Sequence, residues 1–529
     1  MTIEAPGEQT KPISRRRFLG ALGASAVGAG LGSGAAVTQS AAGLQLAQSD
    51  VYAKQSSNCF TRIFPNLPPF SSQSSNVKDA LLQVGAPGGL LDAADQLSAG
   101  AVALITDPAL RVNNPDNLAH PAGITFLGQF MDHDMTFDSE SKLGSPTQPK
   151  DVTNVRTPAL DLDSVYGGGF VVSPQLYDAA DHVKLKVESG GIFEDLPRMS
   201  SGQALLADPR NDENMIVAGL HCAFLLFHNH AVDFARAAGH TDPTDAFNEA
   251  QRLTRWHYQW IIVHEFLPLI IGQPAVDDIT ANGRRYYTPG AGQALIPVEF
   301  GAAAYRFGHS MVRPSYRANL AGDGGRPFFG LIFDPSQEGK ADPADLRGGS
   351  RAPRRFVGWQ TFFDFGDGQV KHNKLIDTKI STPLFNIPLG VIPNHAPPQA
   401  LPQRNLLRQF TWGMPSGQGV ARAIGAPQLS ATDLGELQPY GVGLETSTPL
   451  WYYVLKEAEL VAGGAHLGPV GGRIVGEVII GLLQTDLTSY LAASPGWRPT
   501  LPMRSGGTGD FRMIDFLTFA RVDPGSRGQ

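Results

Sequence analysis

The sequence has only two cysteines among its 529 residues, Cys59 and Cys222, and neither belongs to a CxxC pair. This scarcity excludes a disulfide-rich scaffold and a thiolate-bound zinc site, and it leaves one Cys59–Cys222 bridge as an open alternative. The chain also lacks a basic excess, because its formal net charge is -7, and this excludes a generally basic nucleic-acid binder. After residue 42 no stretch approaches the roughly 18 consecutive apolar residues of a membrane-spanning helix, so we expect no stable membrane insertion of that part.

Strand-like alternation of apolar and polar residues is rare, whereas long apolar segments with helical spacing are common. Glycine (60 residues) and proline (40 residues) are abundant, but 42% of the residues are hydrophobic, which favours long ordered loops over disorder. We predict a mainly α fold with little β-structure: a single large domain over residues 60–525, preceded by an extension over 43–60. The longest predicted helices span residues 212–238, 244–271, 298–312, 450–460 and 473–489.

The N-terminus carries a twin-arginine pattern, Ser14-Arg15-Arg16-Arg17-Phe18-Leu19. An apolar run rich in glycine and alanine follows, and small residues stand near position 42. A membrane anchor is the alternative, but the run is only weakly hydrophobic. We predict a cleaved twin-arginine export signal over residues 1–42, and hence an extracellular or periplasmic protein.

The segment Gly128-Gln129-Phe130-Met131-Asp132-His133-Asp134 concentrates polar chemistry in an apolar setting. Gln129, Asp132 and His133 stand at i, i+3 and i+4, so on a helix they share one face. Asp134 is rotated by about 100° from His133 and points to a second site. One helix would therefore offer an amide, a carboxylate and an imidazole to one cavity. The alternative is a core helix whose histidine is merely hydrogen-bonded.

Downstream, Thr157-Pro158-Ala159-Leu160-Asp161-Leu162-Asp163 offers oxygen atoms at alternate residues. In an extended loop these residues point one way, and their hydroxyl, carbonyl and carboxylate oxygens suit a hard cation such as calcium. Asp134 could complete the shell. The alternative is an ordinary aspartate-rich turn.

Three later segments also combine polar groups with predicted helices. Arg210 precedes Asp212 and Glu213, which either cap the next helix or accompany an arginine that stabilises developing negative charge. His309 follows a glycine in an apolar helix, which suggests a flat, bulky neighbour. Asn405 and Arg408 could orient that histidine, or could be a helix cap and a surface charge.

In its motifs and their order, the sequence resembles the animal-type haem peroxidases of the peroxidase–cyclooxygenase superfamily. The likeness looks closest to bacterial secreted members. The motifs run Gln-x-x-Asp-His-Asp, the oxygen-rich loop, Arg-x-x-Glu, Arg-x-Gly-His and Asn-x-x-Arg, and the likeness spans about residues 115–490. Thr448-Pro449-Leu450-Trp451 and Gly471-Gly472-Arg473-Ile474-Val475 also resemble the C-terminal segment of that family. The resemblance implies one large helical haem-peroxidase domain.

On the distal side of the haem, the resemblance makes His133 the residue that takes a proton from hydrogen peroxide and returns it to the leaving oxygen. Arg210 would stabilise charge as the O–O bond breaks, and Gln129 would hold distal water. Asp132 and Glu213 match the two carboxylates that form ester bonds to haem methyl groups. The implied cofactor is haem b, in free or ester-linked form.

On the proximal side, the resemblance makes His309 the ligand of the haem iron, oriented by Asn405 through its other ring nitrogen. Arg306 and Arg408 would face a haem propionate or the proximal network. The implied calcium ligands form a separate set: Asp134, Thr157, Ala159, Asp161 and Asp163. Family members often have serine where Asp163 stands, so this site would be more anionic.

The resemblance implies a peroxidase that reduces hydrogen peroxide through a ferryl intermediate and oxidises a small donor such as iodide, bromide, thiocyanate or a phenol. Asn214 stands where one mammalian branch has a methionine bonded to haem, which argues against chloride oxidation. A fatty-acid dioxygenase of the same superfamily is the first alternative, but it needs a tyrosine three residues before the proximal histidine. Arg306 occupies that position here, and Tyr305 is one residue earlier. A non-enzymatic, calcium-binding secreted adhesion protein is the second alternative.

Overall fold

The computed structural model describes residues 58–349, 351–392, 395–504, 506 and 509–529. The predicted export signal and residues 43–57 of the predicted extension lie outside this part, so both stay predictions. The described chain is mainly helical, with long loops and three small sheets, which confirms the predicted fold class.

Sixteen α-helices are found in the described residues, and several are single turns. They are α1 Ser75–Val84, α2 Gly100–Thr106, α3 Gly123–Met135, α4 Asp163–Tyr166, α5 Gly169–Val172, α6 Met215–Ala237, α7 Pro243–Ile261, α8 Leu267–Ile271, α9 Gln273–Asn282, α10 Gly308–Met311, α11 Leu401–Thr411, α12 Gly417–Ile424, α13 Leu450–Ala462, α14 Pro469–Thr485, α15 Tyr490–Ala493 and α16 Met513–Phe519.

The strands form three two-stranded antiparallel sheets. They are β1 Asp116–Pro121 with β6 His372–Lys374, β2 Glu188–Ser189 with β3 Glu194–Asp195, and β4 Ser315–Asp323 with β5 Arg326–Leu331. The β4–β5 hairpin directly follows α10, and β1 directly precedes α3.

Helix α6 lies at the centre of the hydrophobic core and packs against α3 and α7. Its N-terminus is capped by Asn214, whose side-chain oxygen accepts hydrogen bonds from the backbone of Ile216 and Val217. Among the described residues, α6 alone has the length and composition of a membrane span, and 83% of its most apolar stretch is buried inside the protein. Its apolar surface is therefore covered by the rest of the fold.

Two predicted helices differ from the structure in their continuity. Residues 244–271 form α7 and α8 joined by a π-helical turn, Ile262–Phe266. Residues 298–312 are not one helix either: a π-helical turn, Glu299–Ala303, leads through a 3-10 turn, Ala304–Phe307, into α10. The buried carboxylate of Glu299 accepts backbone hydrogen bonds from Ile63 and Phe64, so a distant segment holds this irregular turn in place.

Candidate active site

A cavity of about 250 Å³ lies between α3 and the segment that ends in α10. Phenylalanine, leucine and isoleucine side chains form much of its wall. The polar residues that the sequence analysis assigned to the haem site all line this cavity: Gln129, Asp132, His133, Arg210, Glu213, Arg306, His309, Asn405 and Arg408. The structure thus brings together residues from four segments that are far apart in the sequence.

His133 lies near the end of α3 and is almost fully buried. Its Nδ1 is 2.8 Å from Oδ1 of Asn211, and its Nε2 is 3.8 Å from Oε2 of Glu213. Burial and the nearby Arg210 guanidinium lower the pKa of His133 to about 4. The imidazole is therefore neutral at pH 7, and one ring nitrogen can accept a proton.

Gln129 links the two chain segments on this side of the cavity. Its Nε2 donates to Oε2 of Glu213 (3.1 Å), and its Oε1 accepts from Nδ2 of Asn214 (3.0 Å). Burial raises the pKa of Glu213 to about 8, so this carboxyl group is mostly protonated at neutral pH. Asp132, one turn from Gln129, accepts a hydrogen bond from the Thr136 hydroxyl at 2.9 Å.

Arg210 is fixed by a carboxylate that the sequence analysis missed. Its Nε and one terminal nitrogen donate to the two oxygens of Asp208 (3.0 and 2.8 Å), and that terminal nitrogen also donates to the Thr136 carbonyl (2.6 Å). Burial alone would raise the pKa of Asp208, but Arg210 and Arg156 outweigh it and hold the pKa well below its usual range. The side chain of Asp208 also caps the 3-10 turn Pro209–Asp212.

The capping alternative for Asp212 and Glu213 is wrong. Asp212 forms an ion pair with Arg198 at 2.7 Å, Glu213 lines the cavity, and Asn214 caps α6 instead. The helix begins three residues later than predicted because the 3-10 turn occupies its expected first turn.

His309 lies in the single turn α10, and its Nδ1 is 2.7 Å from Nδ2 of Asn405 on α11. Oδ1 of Asn405 is buried and has no hydrogen-bond partner among the described residues. A half-turn of the amide brings Oδ1 to Nδ1, so that it accepts the Nδ1 proton and leaves Nε2 free to bind a metal. Burial and Arg306 lower the pKa of His309 to about 3, which keeps the ring neutral.

On the same side of the cavity, the guanidinium groups of Arg306 and Arg408 have few negatively charged partners. Burial and the neighbouring Arg408 lower the pKa of Arg306 to about 9, and its Nε has no hydrogen-bond partner among the described residues. The contact from Arg408 to Asp138 is long, at 3.5 Å. A buried cation without a partner is costly, so these groups fit a ligand that brings carboxylates, as haem does.

A second cluster lies behind α3. It consists of Asp134, Asp161 and Asp163. Each of them has a carboxylate oxygen that lies within 4.8 Å of a carboxylate oxygen of the other two. Burial and the charges of Asp161 and Asp163 raise the pKa of Asp134, and burial and Asp163 raise that of Asp161 to about 7. Such crowded negative charge fits a bound cation.

The loop that carries this cluster is not extended, so the prediction that its alternate residues point one way is wrong. Leu162 adopts a left-handed conformation (φ 64°), and Asp163 begins α4, which turns the two aspartates together. Thr157 is exposed, and its backbone N–H donates to Oδ2 of Asp163 at 2.9 Å. The buried Ala159 donates its backbone N–H to the Thr157 carbonyl.

Arg156 joins the two clusters and was also missed. Its guanidinium is 3.3 Å from Oδ1 of Asp163 and 3.3 Å from Oδ2 of Asp208. The chain of ion pairs therefore runs from the aspartate cluster to Arg210. Arg156 also offsets part of the extra negative charge that Asp163 brings.

Cys59 and Cys222 are both free thiols in the structure, so the alternative of a disulfide bridge is wrong. Cys222 is buried in α6.

The mainly helical fold, with two buried histidines facing one cavity, is similar to the folds of a peroxidase and of a fatty acid alpha-dioxygenase. Peroxidase A from Dictyostelium discoideum superimposes with a TM-score of 0.54 at 17% identity, covering 82% of this chain and 88% of that structure. A fatty acid alpha-dioxygenase from Arabidopsis thaliana gives a TM-score of 0.53 at 13% identity, covering 85% and 76%. At these identities the likeness establishes the fold alone.

Sequence comparison gives the narrower result. Residues 110–326 match the family model described as animal haem peroxidase. The human "Probable oxidoreductase PXDNL" is 31% identical over 153 residues, which cover 27% of this chain and 10% of that protein. The chorion peroxidase of Aedes aegypti is 28% identical over 193 residues, covering 34% and 24%, and the rat thyroid peroxidase is 27% identical over 199 residues, covering 33% and 21%. The matched region thus spans a quarter or less of each of these relatives.

Proposed function

We propose that this protein is a haem-dependent peroxidase that reduces hydrogen peroxide and oxidises a small donor: a halide other than chloride, thiocyanate or a phenol. The observation that carries the proposal is the pair of buried, neutral histidines facing one cavity, each with Nδ1 against an asparagine. The match of residues 110–326 to the animal haem peroxidase family supports it.

His309 would hold the haem iron through Nε2, and Arg306 and Arg408 would pair with the haem carboxylates. Haem, when bound, would supply an iron that binds peroxide, and it would hold the two oxidising equivalents that come from peroxide. His133 would accept the first peroxide proton on Nε2 and return it to the leaving oxygen. Arg210 keeps positive charge beside that transfer because Asp208 holds its guanidinium in place.

The function is tested by steady-state peroxide turnover of the purified holoprotein with iodide, bromide, thiocyanate and a phenol. We expect a Soret band and donor-dependent consumption of peroxide. A fatty-acid dioxygenase would instead consume oxygen with a long-chain fatty acid, and the likeness to the Arabidopsis enzyme makes that assay the natural counterpart. Arg306 stands where that reaction requires a tyrosine, and the Tyr305 hydroxyl donates to the Gly128 carbonyl at 3.1 Å. Peroxide turnover absent with every donor would overturn the proposal.

We also propose that Asp132 and Glu213 form ester bonds to haem methyl groups. Both carboxyl groups line the cavity, one on α3 and one beside Arg210. Each bond replaces a methyl C–H by C–O, and one peroxide molecule takes up the two electrons and is reduced to water. Acidified solvent should extract haem from untreated enzyme and little from peroxide-treated enzyme. Asp132→Ala and Glu213→Ala should each leave one attachment by mass spectrometry, and unmodified haem released from treated wild type would contradict the proposal.

The aspartate cluster is proposed to bind calcium through Asp134, Asp161 and Asp163, with oxygens of Thr157 and Ala159. At calcium 100-fold above its dissociation constant, binding should raise the free energy of unfolding by about 2.7 kcal/mol. Because Asp134 adjoins His133, chelation should also shift the haem spectrum.

Asp161→Ala is expected to lose the calcium-dependent stabilisation. In the presence of a chelator, this variant should be at least as stable as wild type. The reason is that it removes one of the three neighbouring carboxylates, which repel one another. Asp364→Ala, at an exposed loop position, is the matched control and should keep the calcium response. Thermal unfolding with and without chelator measures both effects, and an equal calcium response in Asp161→Ala would rule this site out.

A further inference from the structure

Asn211 lies between two histidines in the interior. Its Oδ1 is 2.8 Å from Nδ1 of His133, and its Nδ2 is 3.0 Å from Nδ1 of His221 on α6. Asn211 is 0% and His221 is 1% exposed, so neither side chain has water as a substitute partner. Asn211 is a position of the Arg-x-x-Glu motif to which no role was assigned, and His221 lies outside the motifs.

The amide constrains the protons of both rings. A carboxamide has one acceptor end and one donor end, so the ring at Oδ1 must donate and the ring at Nδ2 must accept. His133 then carries its proton on Nδ1 and has a lone pair on Nε2, while His221 accepts on Nδ1 and carries its proton on Nε2. Burial lowers the pKa of His221 to about 3, so its ring is neutral and able to accept.

We propose that Asn211 and His221 form a positioning pair that holds His133 in the Nδ1–H tautomer, with the basic Nε2 facing the cavity. The inference deepens the proposed function, because it rests on Nε2 as the atom that accepts the peroxide proton. Asn211 is well placed for this role, since it directly follows Arg210 in the 3-10 turn that Asp208 caps. This short turn therefore carries both Arg210, which supplies the positive charge, and Asn211, which determines the tautomer of His133.

His221 completes the arrangement, because it accepts from the Nδ2 end of the amide while Oδ1 faces His133. Without an acceptor at Nδ2, the amide could turn and present its N–H₂ group to Nδ1 of His133. The imidazole would then have to carry its proton on Nε2, which removes the base from the cavity. Hydrogen-bond partners fix the tautomer of metal-bound histidines in the same manner. Here the histidine transfers a proton and does not bind a metal.

The test uses cyanide binding to the ferric holoprotein, followed by the shift of the Soret band. Hydrogen cyanide must give up its proton as it binds, and Nε2 of His133 would receive it, so the association rate reports the base without any donor or turnover. Asn211→Leu keeps the volume and removes the acceptor, and it should slow association roughly 10- to 100-fold. Asn211→Asp restores an acceptor oxygen and should recover most of that loss. Asn229→Leu, which removes an asparagine from α6 outside the cavity, is the matched control for a general loss of packing.

Neutron diffraction from the wild-type holoprotein tests the tautomers directly and does not depend on any variant folding. We expect hydrogen on Nδ1 of His133 and on Nε2 of His221. Hydrogen on Nε2 of His133 with Nδ1 bare would overturn the proposal, as would an unchanged cyanide rate in folded Asn211→Leu. The proposed function fails separately, if wild type with the expected tautomers turns over no peroxide.

Discussion

His309→Ala is expected to lose iron ligation and, with it, the Soret band and all haem-dependent peroxide turnover. The reason is geometric: among the residues on the α10 side of the cavity, His309 alone offers a neutral nitrogen to a metal. Asn405 engages Nδ1, so the only free ring nitrogen is Nε2. Truncation to alanine leaves the iron without its axial ligand and leaves Asn405 with a buried, unpaired amide.

The measurement is the absorption spectrum after titration with haem, followed by peroxide consumption. Because the variant removes a buried side chain, a control must separate loss of the ligand from misfolding. Free imidazole can enter the space left by the ring, and it should restore a Soret band and part of the turnover in His309→Ala. A variant that binds haem with the wild-type spectrum in the absence of imidazole would show that the iron ligand lies elsewhere.

The helical spacing of Gln129, Asp132 and His133 was enough to predict that they face one cavity. That inference works because the rise and twist of an α-helix determine which side chains share a face, whatever the rest of the chain does. The same local logic separated Asp134 from this group, and the structure indeed places Asp134 in the aspartate cluster. Helix α3 is therefore the part of the site that local sequence describes best.

The partners of these residues could not be predicted in the same way. Asn211 and Asp208 contact His133 and Arg210, but the contact between Asn211 and His133 joins positions 78 residues apart. Arg156 bridges Asp163 and Asp208 only because α3, α4 and the 3-10 turn pack together. One signal was present: Asp208-Pro209 is typical of an N-cap followed by proline, and it marked the start of a turn.

In the segment before His309, the local sequence predicted the wrong backbone conformation. Its apolar run is typical of one continuous helix, yet the chain passes through π-helical and 3-10 turns before α10. The cause lies outside the segment, in the backbone N–H groups of Ile63 and Phe64 that the Glu299 carboxylate binds. Helix propensity does not include such a long-range hydrogen bond. The sequence therefore predicted that this segment is helical, but it did not predict the π-helical and 3-10 turns.

The second large effect concerns His133→Ala, which should retain haem and lose most peroxide cleavage. General acid–base transfer contributes roughly 100- to 10,000-fold, and we expect a loss in that range in the rate of reaction with peroxide. Haem binding should persist, because His309, Arg306 and Arg408 lie on the other wall of the cavity and are unchanged. Stopped-flow mixing of the ferric protein with peroxide measures the rate, and the Soret band before mixing measures haem content.

A suitable control is His120→Ala, which truncates another buried histidine outside the cavity. His120 is 1% exposed and its Nε2 lies 2.8 Å from the Leu269 carbonyl, so its loss should cost stability at similar burial without touching the peroxide site. If both variants lose stability but only His133→Ala loses the peroxide reaction, the effect belongs to the proton transfer and not to packing. Asp208 still holds Arg210 in the His133 variant, so the charge of Arg210 should still contribute to any residual rate. A His133→Ala protein that reacts with peroxide at the wild-type rate would remove His133 from the mechanism, whatever the spectrum of the bound haem.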